Sequence, residues 1–212
     1  MPEIITIDPR HPEQGLINRA VAILRAGGLI AYPTETFYGL GADARIPEAV
    51  DRVFSVKGRS FRNPVALIVG DREDIADLAT SVPAPSRRLM EAFWPGALTL
   101  LFPASPRIIP RLTAGTGTIG IRVSSHPIAA ALAKTLASPL TATSANVSGR
   151  EECTRAAEVR EQLGEAIDAI IDGGSTAGGS GSTILDMTTA PPRIIREGAI
   201  PAALIYAALA GP

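Results

Sequence analysis

The segment GGLIAYPTETFYGLG, residues 27–41, contains the changes of pattern from which the fold class is predicted. Apolar residues before it recur at helical spacing, and its two leading glycines predict the end of that helix. The apolar run 29–32 then predicts a buried strand. Residues 33–41 contain proline, glycine and hydroxyl side chains, which predict a loop leaving the strand. A helix, a strand and a polar loop therefore follow one another here.

The same alternation of helix and strand extends along the rest of the chain. Helices are predicted at residues 47–57, 86–93, 128–136, 156–163 and 202–209. Strands are predicted at residues 4–7, 65–69, 97–102, 119–123, 140–143, 167–171, 183–186 and 194–196. This alternation is typical of an α/β fold, and we expect a single domain over residues 1–212, a twisted mixed sheet flanked by helices.

The glycine-rich run at residues 173–182 has the composition of a linker. The 30 residues that follow it, 183–212, are too few to form a second hydrophobic core. Long glycine-rich loops inside compact domains tend to be functional. We therefore predict a loop folded over a site and not a domain boundary.

The bulk composition narrows the possible functions and locations. A net charge of −1 gives no indication of an overall nucleic-acid binder. The longest apolar runs have strand length, far below the ~20 residues of a membrane span, and the N-terminal residues contain no signal-peptide core. Cys153 is the only cysteine, which suits a reducing compartment, and no base stands near it in the sequence. We expect a cytoplasmic protein without a membrane segment, in which Cys153 is unreactive.

Two apparent binding patterns are not interpreted as sites. GTGTIG at residues 115–120 matches G-x-G-x-x-G, yet it leads into a predicted strand, whereas a dinucleotide-binding fingerprint opens a helix. A P-loop pattern is absent, so an ATP site would be of another kind. His11 and His126 are the only histidines, too few for a His-rich metal site, and His126 before Pro127 is interpreted as part of a helix start. No metal site formed by the protein is predicted.

A basic cluster lies at the end of the second predicted helix and consists of Arg52, Lys57, Arg59 and Arg62. Cations are favoured at helix C-termini, so a solvated helix end is one interpretation. The apolar strand after Asn63-Pro64 favours another, in which Lys57 and Arg59 lie on a loop entering the sheet and bind a polyphosphate. The residues alone leave both interpretations open.

Further polar residues lie at or near the ends of predicted strands. The segment TSAN at residues 143–146 leaves a strand and can either cap a helix or bind a nucleotide. Arg122 and Arg196 are single cations within apolar strands, where a buried charge needs a partner or a ligand. Open α/β sheets bind ligands at strand ends, so we expect a site there.

Taken in order, several motifs resemble the YrdC family. They are GGLIAYPTET (27–36) with YGLG (38–41), KGR (57–59) with NP (63–64), WPG (94–96) with LTL (98–100), GIRV (120–123) before HP (126–127), SAN (144–146) with SG (148–149), STI (182–184) with Asp186, and Arg196 with Gly198. Each motif alone is weak, but the ordered set covers residues 27–198. Ser60, Val65 and Ala97 depart from the family pattern, and residues 67–69 stand where many relatives carry a histidine.

This resemblance implies a concave, positively charged cleft and an L-threonylcarbamoyladenylate synthase, which forms threonylcarbamoyl-AMP and pyrophosphate from L-threonine, bicarbonate or CO2, and ATP. Mg2+ would arrive with ATP. The implied catalytic residues of the adenylate and phosphate site are Lys57, Arg59, Ser144 and Asn146. The implied ATP-binding residues are these four together with Asn63, Thr118 and Arg196. The implied threonine-binding residues are Thr34, Thr36, Arg122 and Ser182.

The resemblance also implies partners. The product would pass to a downstream tRNA threonylcarbamoyl transferase complex that modifies adenosine next to the anticodon, and direct contact with RNA is not implied. The additional C-terminal domain of longer relatives is expected to be absent. Two alternatives stay open: a carbamoyl-adenylate-forming carbamoyltransferase-type domain of the same fold, and a non-catalytic RNA-binding module. The net charge and the few aromatic residues oppose the RNA-binding module.

Overall fold

The computed structural model describes residues 1–58 and 63–210, which form ten strands and eight α-helices. The strands are β1 (Glu3–Thr6), β2 (Ile30–Pro33), β3 (Tyr38–Gly41), β4 (Ala66–Ile68), β5 (Leu98–Pro103), β6 (Thr118–Arg122), β7 (Leu140–Ser144), β8 (Ala169–Asp172), β9 (Thr183–Asp186) and β10 (Arg193–Arg196). The helices are α1 (Gln14–Arg25), α2 (Pro47–Lys57), α3 (Ile75–Leu78), α4 (Ala84–Phe93), α5 (Pro110–Thr113), α6 (Pro127–Leu136), α7 (Ala156–Leu163) and α8 (Ala202–Ala210).

The strands form one mixed sheet in the order β1-β8-β2-β3-β7-β4-β6-β5-β9-β10. β1 and β2 both run parallel to β8, β4 runs parallel to β6, and β5 runs parallel to β9. The other neighbouring pairs are antiparallel. The predicted α/β fold with a mixed sheet flanked by helices is confirmed, while its extent as a single domain over residues 1–212 stays a prediction.

Three apolar clusters join the helices to the sheet. α1 and α6 pack against each other and, through residues such as Leu24 and Leu132, against β2 and β8. α2 and α7 contribute Val53 and Val159 to a second cluster, and α4 and α8 pack on a third built largely from β5 and β6. Each fully buried leucine side chain stabilises the fold by roughly 1.5–3 kcal/mol. These clusters fix the strand ends on which the polar residues lie.

The predicted loop at residues 33–41 is wrong in its second half, where Tyr38–Gly41 forms β3. β3 pairs antiparallel with β2, and Tyr32 lies opposite Gly39. A Cβ atom at Gly41 would lie 2.7 Å from the Tyr32 ring, and one at Gly39 would lie 3.0 Å from it. The glycines therefore leave space for a buried aromatic ring, and a pattern that resembles a loop belongs to a strand.

The other predicted helices and strands are found within three residues of their predicted ends. The GTGTIG pattern leads into β6 and opens no helix, as the sequence predicted. Within residues 1–58 and 63–210, none of the helices combines the length and the hydropathy that a bilayer-crossing segment requires.

Candidate active site

A polar cavity of about 180 Å³ lies among the ends of the central strands. Its lining includes six of the residues predicted from the sequence, namely Thr34, Thr36, Arg122, Ser144, Ser182 and Arg196. They come from the β2–β3 turn, from the ends of β6, β7 and β10, and from the residue before β9. The sheet thus brings together residues separated by as many as 162 positions (196 − 34).

The β2–β3 turn presents two hydroxyl groups in fixed positions. Oγ1 of Thr34 donates to the carbonyl oxygen of Phe37 at 2.6 Å, and Thr36 N–H donates to Oγ1 of Thr34 at 3.2 Å. Both threonines are buried. Because the turn holds the threonines through its own hydrogen bonds, the hydroxyls are oriented in advance for a ligand in the cavity.

Arg122 lies at the cavity wall and forms a buried ion pair. The sequence predicted a partner or a ligand for this charge, and Nη1 of Arg122 lies 3.4 Å from Oε1 of Glu35. Only 8% of the Arg122 side chain is exposed. The other carboxylate oxygen of Glu35 accepts a hydrogen bond from the hydroxyl of Ser124. The ion pair with Glu35, whose carboxylate is hydrogen-bonded to Ser124, therefore holds the positive charge of Arg122 at the cavity wall.

His126 is the N-cap of α6, which confirms its predicted role at a helix start. Nδ1 of His126 accepts a hydrogen bond from Ile128 N–H at 3.3 Å, and His126 N–H donates to Oγ of Ser124 at 3.2 Å. Burial holds the pKa of His126 below its ordinary value, although the Glu35 carboxylate acts in the opposite direction. The neutral form is the one that can accept the capping hydrogen bond.

Lys57 is the last residue of α2, and neither sequence interpretation of the basic cluster places it correctly. Its side chain is not solvated, because only 2% of the residue is exposed, and it does not lie on a loop. Nζ donates to the carbonyl oxygen and to Oδ1 of Asn146, at 2.8 Å and 3.0 Å, and to the carbonyl oxygen of Ser144. Gly58, with φ of 59°, ends the helix directly after it.

The structure brings three of the four predicted catalytic residues together, since Lys57 bridges Ser144 and Asn146. Nδ2 of Asn146 donates to the carbonyl oxygen of Arg150 at 2.7 Å, so this amide is bonded on one side to its own loop and on the other to Lys57 of α2. No helix follows the loop directly, because the next helix, α7, begins only at Ala156, and the alternative of a helix cap is wrong. Arg59 and Arg62 lie outside the described residues.

Four predicted ATP-binding residues in the described ranges, Lys57, Asn63, Thr118 and Asn146, are not among the residues that line the cavity. Thr118 begins β6, and its hydroxyl lies 3.0 Å from that of Thr116. Asn63 is exposed before β4. The ATP-binding roles of these residues therefore stay predictions.

Ser182 and Arg196 also line the cavity, but Arg196 is exposed at the end of β10, so the prediction of a buried charge is wrong for this residue. Nε and Nη2 of Arg196 donate to the carbonyl oxygen of Ser182 at 3.2 Å and 2.7 Å. The Ser182 hydroxyl lies 2.9 Å from that of the buried Thr99. The loop at residues 173–182 reaches the β2–β3 turn, where Gly178 N–H donates to the carbonyl oxygen of Thr36 at 2.8 Å. Gly181 and Ser182 at the end of this loop line the cavity, whereas its predicted role over a site stays a prediction.

Sequence reasoning missed several residues at the cavity. Thr99 lines it and stands as a single polar residue in an apolar strand, the same signal that identified Arg122. Glu35 lies inside a quoted motif, but no role was assigned to it. Glu152 also lines the cavity, and no pattern in the sequence indicates this. Cys153 beside it is buried, and burial is the main cause that raises the pKa of its thiol to about 11.

Residues 1–58 and 63–210 contain no group of three or more His, Cys, Asp or Glu side chains that could hold a metal ion. Glu152 is the carboxylate among the residues that line the cavity. A Mg2+ ion would fit this donor set only if phosphate oxygens and water supplied most of its ligands.

Comparisons with known proteins agree with the sequence motifs. The model of the family described as Sua5_yciO_yrdC, telomere recombination, matches residues 22–198. A threonylcarbamoyl-AMP synthase from Bacillus subtilis is 41% identical over 93% of this chain and 56% of its own length. One from Halorhodospira halophila is 40% identical over 74% of this chain and 82% of its own length.

A solved structure described as Pyrococcus abyssi Sua5 complexed with L-threonine superimposes with a TM-score of 0.94. It is 38% identical, and the match covers 98% of this chain and 61% of that one. The chain thus spans 56% of the length of the B. subtilis relative and 61% of the P. abyssi chain. By the extent of the family match and by these identities, the chain belongs to the Sua5/YciO/YrdC family.

Proposed function

We propose that this protein is an L-threonylcarbamoyladenylate synthase, which converts L-threonine, bicarbonate and ATP into threonylcarbamoyl-AMP, pyrophosphate and water. Relatives with this name support the proposal, and so does the L-threonine complex of P. abyssi Sua5. The observation that carries it is the cavity that Arg122 lines together with Thr34 and Thr36. A buried cation beside fixed hydroxyls suits an amino acid with a carboxylate and a side-chain hydroxyl.

In this proposal Arg122 binds the threonine carboxylate, and the hydroxyls of Thr34, Thr36 and Ser182 bind the rest of the amino acid. The guanidinium offers N–H donors in a planar arrangement that matches a carboxylate. Because the turn hydrogen bonds and the Thr99 contact hold these hydroxyls in place, little conformational entropy is lost when threonine binds.

The ATP side of the proposal rests on Lys57, Arg59, Ser144 and Asn146, with Asn63, Thr118 and Arg196 around them. An ammonium group has three N–H bonds, and among the described residues Nζ of Lys57 already donates to the carbonyl oxygens of Ser144 and Asn146 and to Oδ1 of Asn146. Lys57 would exchange one of these contacts to touch a phosphate. Otherwise it acts through its charge and by holding the loop of Ser144 and Asn146.

The reaction needs charge stabilisation more than proton transfer. The amine of threonine and bicarbonate give an N-carboxylate with loss of water, and this carboxylate attacks the α-phosphorus of ATP and displaces pyrophosphate. Both reactants are anions, so cations preorganised in the site lower the barrier. Lys57, Arg59 and Arg196 supply this charge in the proposal, and a Mg2+ ion brought in with ATP would add further positive charge at the phosphates.

The proposed product serves a downstream tRNA threonylcarbamoyl transferase complex, which places the threonylcarbamoyl group on adenosine next to the anticodon. Transfer of a small adenylate requires no contact between this protein and tRNA. We propose a cytoplasmic location on the same basis, since ATP, threonine and tRNA occur there together.

The test is pyrophosphate release from ATP with Mg2+ and bicarbonate, measured with L-threonine, with L-serine and without an amino acid. Release that depends on threonine, with threonylcarbamoyl-AMP detected by mass spectrometry, is the expected result. Arg122→Gln should raise the KM for threonine strongly, and the exposed Arg88→Gln is the matched control.

Two further reactions separate the alternatives. Release that depends on carbamoyl phosphate and not on threonine would establish the carbamoyl-adenylate reaction instead. No turnover with either substrate, combined with a salt-sensitive gel shift of bare RNA, would support the RNA-binding module.

A further inference from the structure

Glu35 is a buried acidic residue that the proposed roles leave unexplained. It stands between Thr34 and Thr36, which line the cavity, yet among the residues described it is not part of the lining itself. Only 14% of its side chain is exposed. Removing a carboxylate from water is costly, so its contacts indicate what it does.

Glu35 connects three segments that meet behind the cavity. Oε1 lies 3.4 Å from Nη1 of Arg122 at the end of β6. Oε2 accepts a hydrogen bond from the hydroxyl of Ser124, and Oγ of Ser124 accepts one from His126 N–H at the start of α6. The carboxylate is thus held on one side by Ser124 and faces the guanidinium on the other.

The contact between Glu35 and Arg122 is an ion pair and not a hydrogen bond. Oε1 of Glu35 is buried and accepts no hydrogen bond from any residue in the described part of the chain. At 3.4 Å the attraction between the two charges is still strong in a buried environment. Since the guanidinium is planar, a charge fixed at one edge determines where its other N–H groups point.

We propose that Glu35 is a positioning residue for Arg122: its carboxylate, held by Ser124, orients the guanidinium toward the carboxylate of threonine bound in the cavity. This inference rests on the proposed function, because it takes L-threonine as the ligand of Arg122. Glu35 acts only through Arg122, as the cavity wall contains the arginine and not the glutamate.

The first experiment uses Glu35→Gln, which keeps the size of the side chain and removes its charge. The KM and the calorimetric Kd for L-threonine should rise about tenfold, the loss expected for one hydrogen bond or contact to a charged group. The KM for ATP should stay within about twofold of the wild-type value, because on this proposal the nucleotide does not depend on Arg122. Glu91→Gln, on the exposed side of α4, is the matched control and should change neither constant.

A double-mutant cycle separates positioning from a general structural role. In the Arg122→Gln background, Glu35→Gln should cause no further rise in the Kd for threonine, because the residue through which it acts is gone. A second full tenfold rise would overturn the proposal. A Kd for threonine that falls in Glu35→Gln would also overturn it, since Glu35 would then compete with threonine for Arg122.

A second variant covers the case in which Glu35→Gln fails to fold. Ser124→Ala keeps both charges and removes the hydrogen bond that holds Glu35, so the Kd for threonine should rise two- to fivefold, less than for Glu35→Gln. An unchanged Kd in Ser124→Ala would overturn the proposal. Wild-type protein that neither binds nor uses threonine would overturn the proposed function together with this inference, whereas wild-type turnover with unaffected variants would overturn this inference alone.

Discussion

At the scale of single residues, the buried ammonium group of Lys57 joins the end of α2 to the loop after β7. Its hydrogen bonds go to the carbonyl oxygen of Ser144 and to both oxygens of Asn146. Buried oxygens need hydrogen-bond donors, and Lys57 is the donor to these. Lys57 therefore stabilises the fold in addition to its role in the proposed chemistry.

Lys57→Met should destabilise the protein by about 3 kcal/mol and abolish pyrophosphate release. Methionine keeps the apolar length of the side chain, but it leaves buried oxygens of Ser144 and Asn146 without their charged donor. Urea unfolding measures the first effect, and the pyrophosphate assay measures the second. Lys134→Met, at a side chain that is 58% exposed, is the matched control and should be close to neutral. Wild-type stability of Lys57→Met would contradict the structural role.

At the scale of secondary-structure elements, the start of α6 depends on a titratable cap. His126 accepts a hydrogen bond through Nδ1 from Ile128 N–H, which only the neutral ring can do. Burial lowers the pKa of this histidine below the ordinary 6.5. Between the folded pKa and 6.5, the unfolded chain binds more protons than the folded one, so stability falls as the pH falls through this range.

The free energy of unfolding should therefore decrease more steeply between pH 7.5 and pH 5 in the wild type than in His126→Asn. This pH range includes the ordinary pKa of histidine. Asparagine also caps helices, so this variant keeps the acceptor and loses the titration. His126→Ala should cost about 1 kcal/mol at pH 7.5 because the cap is lost. His11→Asn is the control, as the His11 side chain is 86% exposed. An equal pH dependence in His126→Asn and the wild type would contradict this account.

The contact between the glycine-rich loop and the chain after β10 is a second element-scale feature. Ala199 N–H donates to the carbonyl oxygen of Gly181 at 2.8 Å, and Gly198 N–H donates to Oγ1 of Thr183 at 2.9 Å. A Cβ atom at Gly198 would lie 2.1 Å from the carbonyl oxygen of Gly181 and 2.7 Å from the carbonyl carbon of Ser182. The backbone at the cavity wall therefore leaves no space for a side chain.

Gly198→Ala should destabilise the protein by about 2 kcal/mol and raise the KM for threonine, because the added methyl group displaces Ser182. Gly15→Ala is the matched control: nothing lies within 4 Å of the added atom, and Gly15 is in α1. That substitution should be neutral or stabilise by up to ~1 kcal/mol, as alanine favours helices. Chemical denaturation measures the free energy of unfolding, and steady-state kinetics measure the KM for threonine. If neither quantity changes in Gly198→Ala, the loop accommodates the methyl group without affecting the site, and the prediction is contradicted.

At the scale of the whole molecule, the cavity is built from residues between Tyr32 and Arg196. No short segment contains the site, so the unfolded chain does not bind the ligand. L-threonine at 100 times its Kd should therefore raise the free energy of unfolding by about 2.7 kcal/mol. Urea unfolding with and without threonine measures this gain. The gain should disappear in Arg122→Gln, and a gain that persists in that variant would place threonine elsewhere.

The sequence by itself determined the features that depend on local patterns. The helix over Pro47–Lys57 and the strand at Thr183–Asp186 were predicted at their observed ends, because capping, turn residues and apolar periodicity act over a few positions. The site residues at strand ends were identified from single polar residues in apolar strands and from the order of the family motifs. Six of them line one cavity.

Only the tertiary structure decided which distant groups meet. Glu35 and Arg122 are 87 positions apart (122 − 35), and nothing in either segment indicates their pairing. β3 escaped prediction because its glycines are explained by the Tyr32 ring across the hairpin and not by a turn. The burial of Lys57 likewise depends on the loop after β7, which approaches from elsewhere in the chain. Local sequence patterns specify helices and strands. Burial and charge pairing depend on contacts between distant residues, and the periodicity of the sequence gives no information about those contacts.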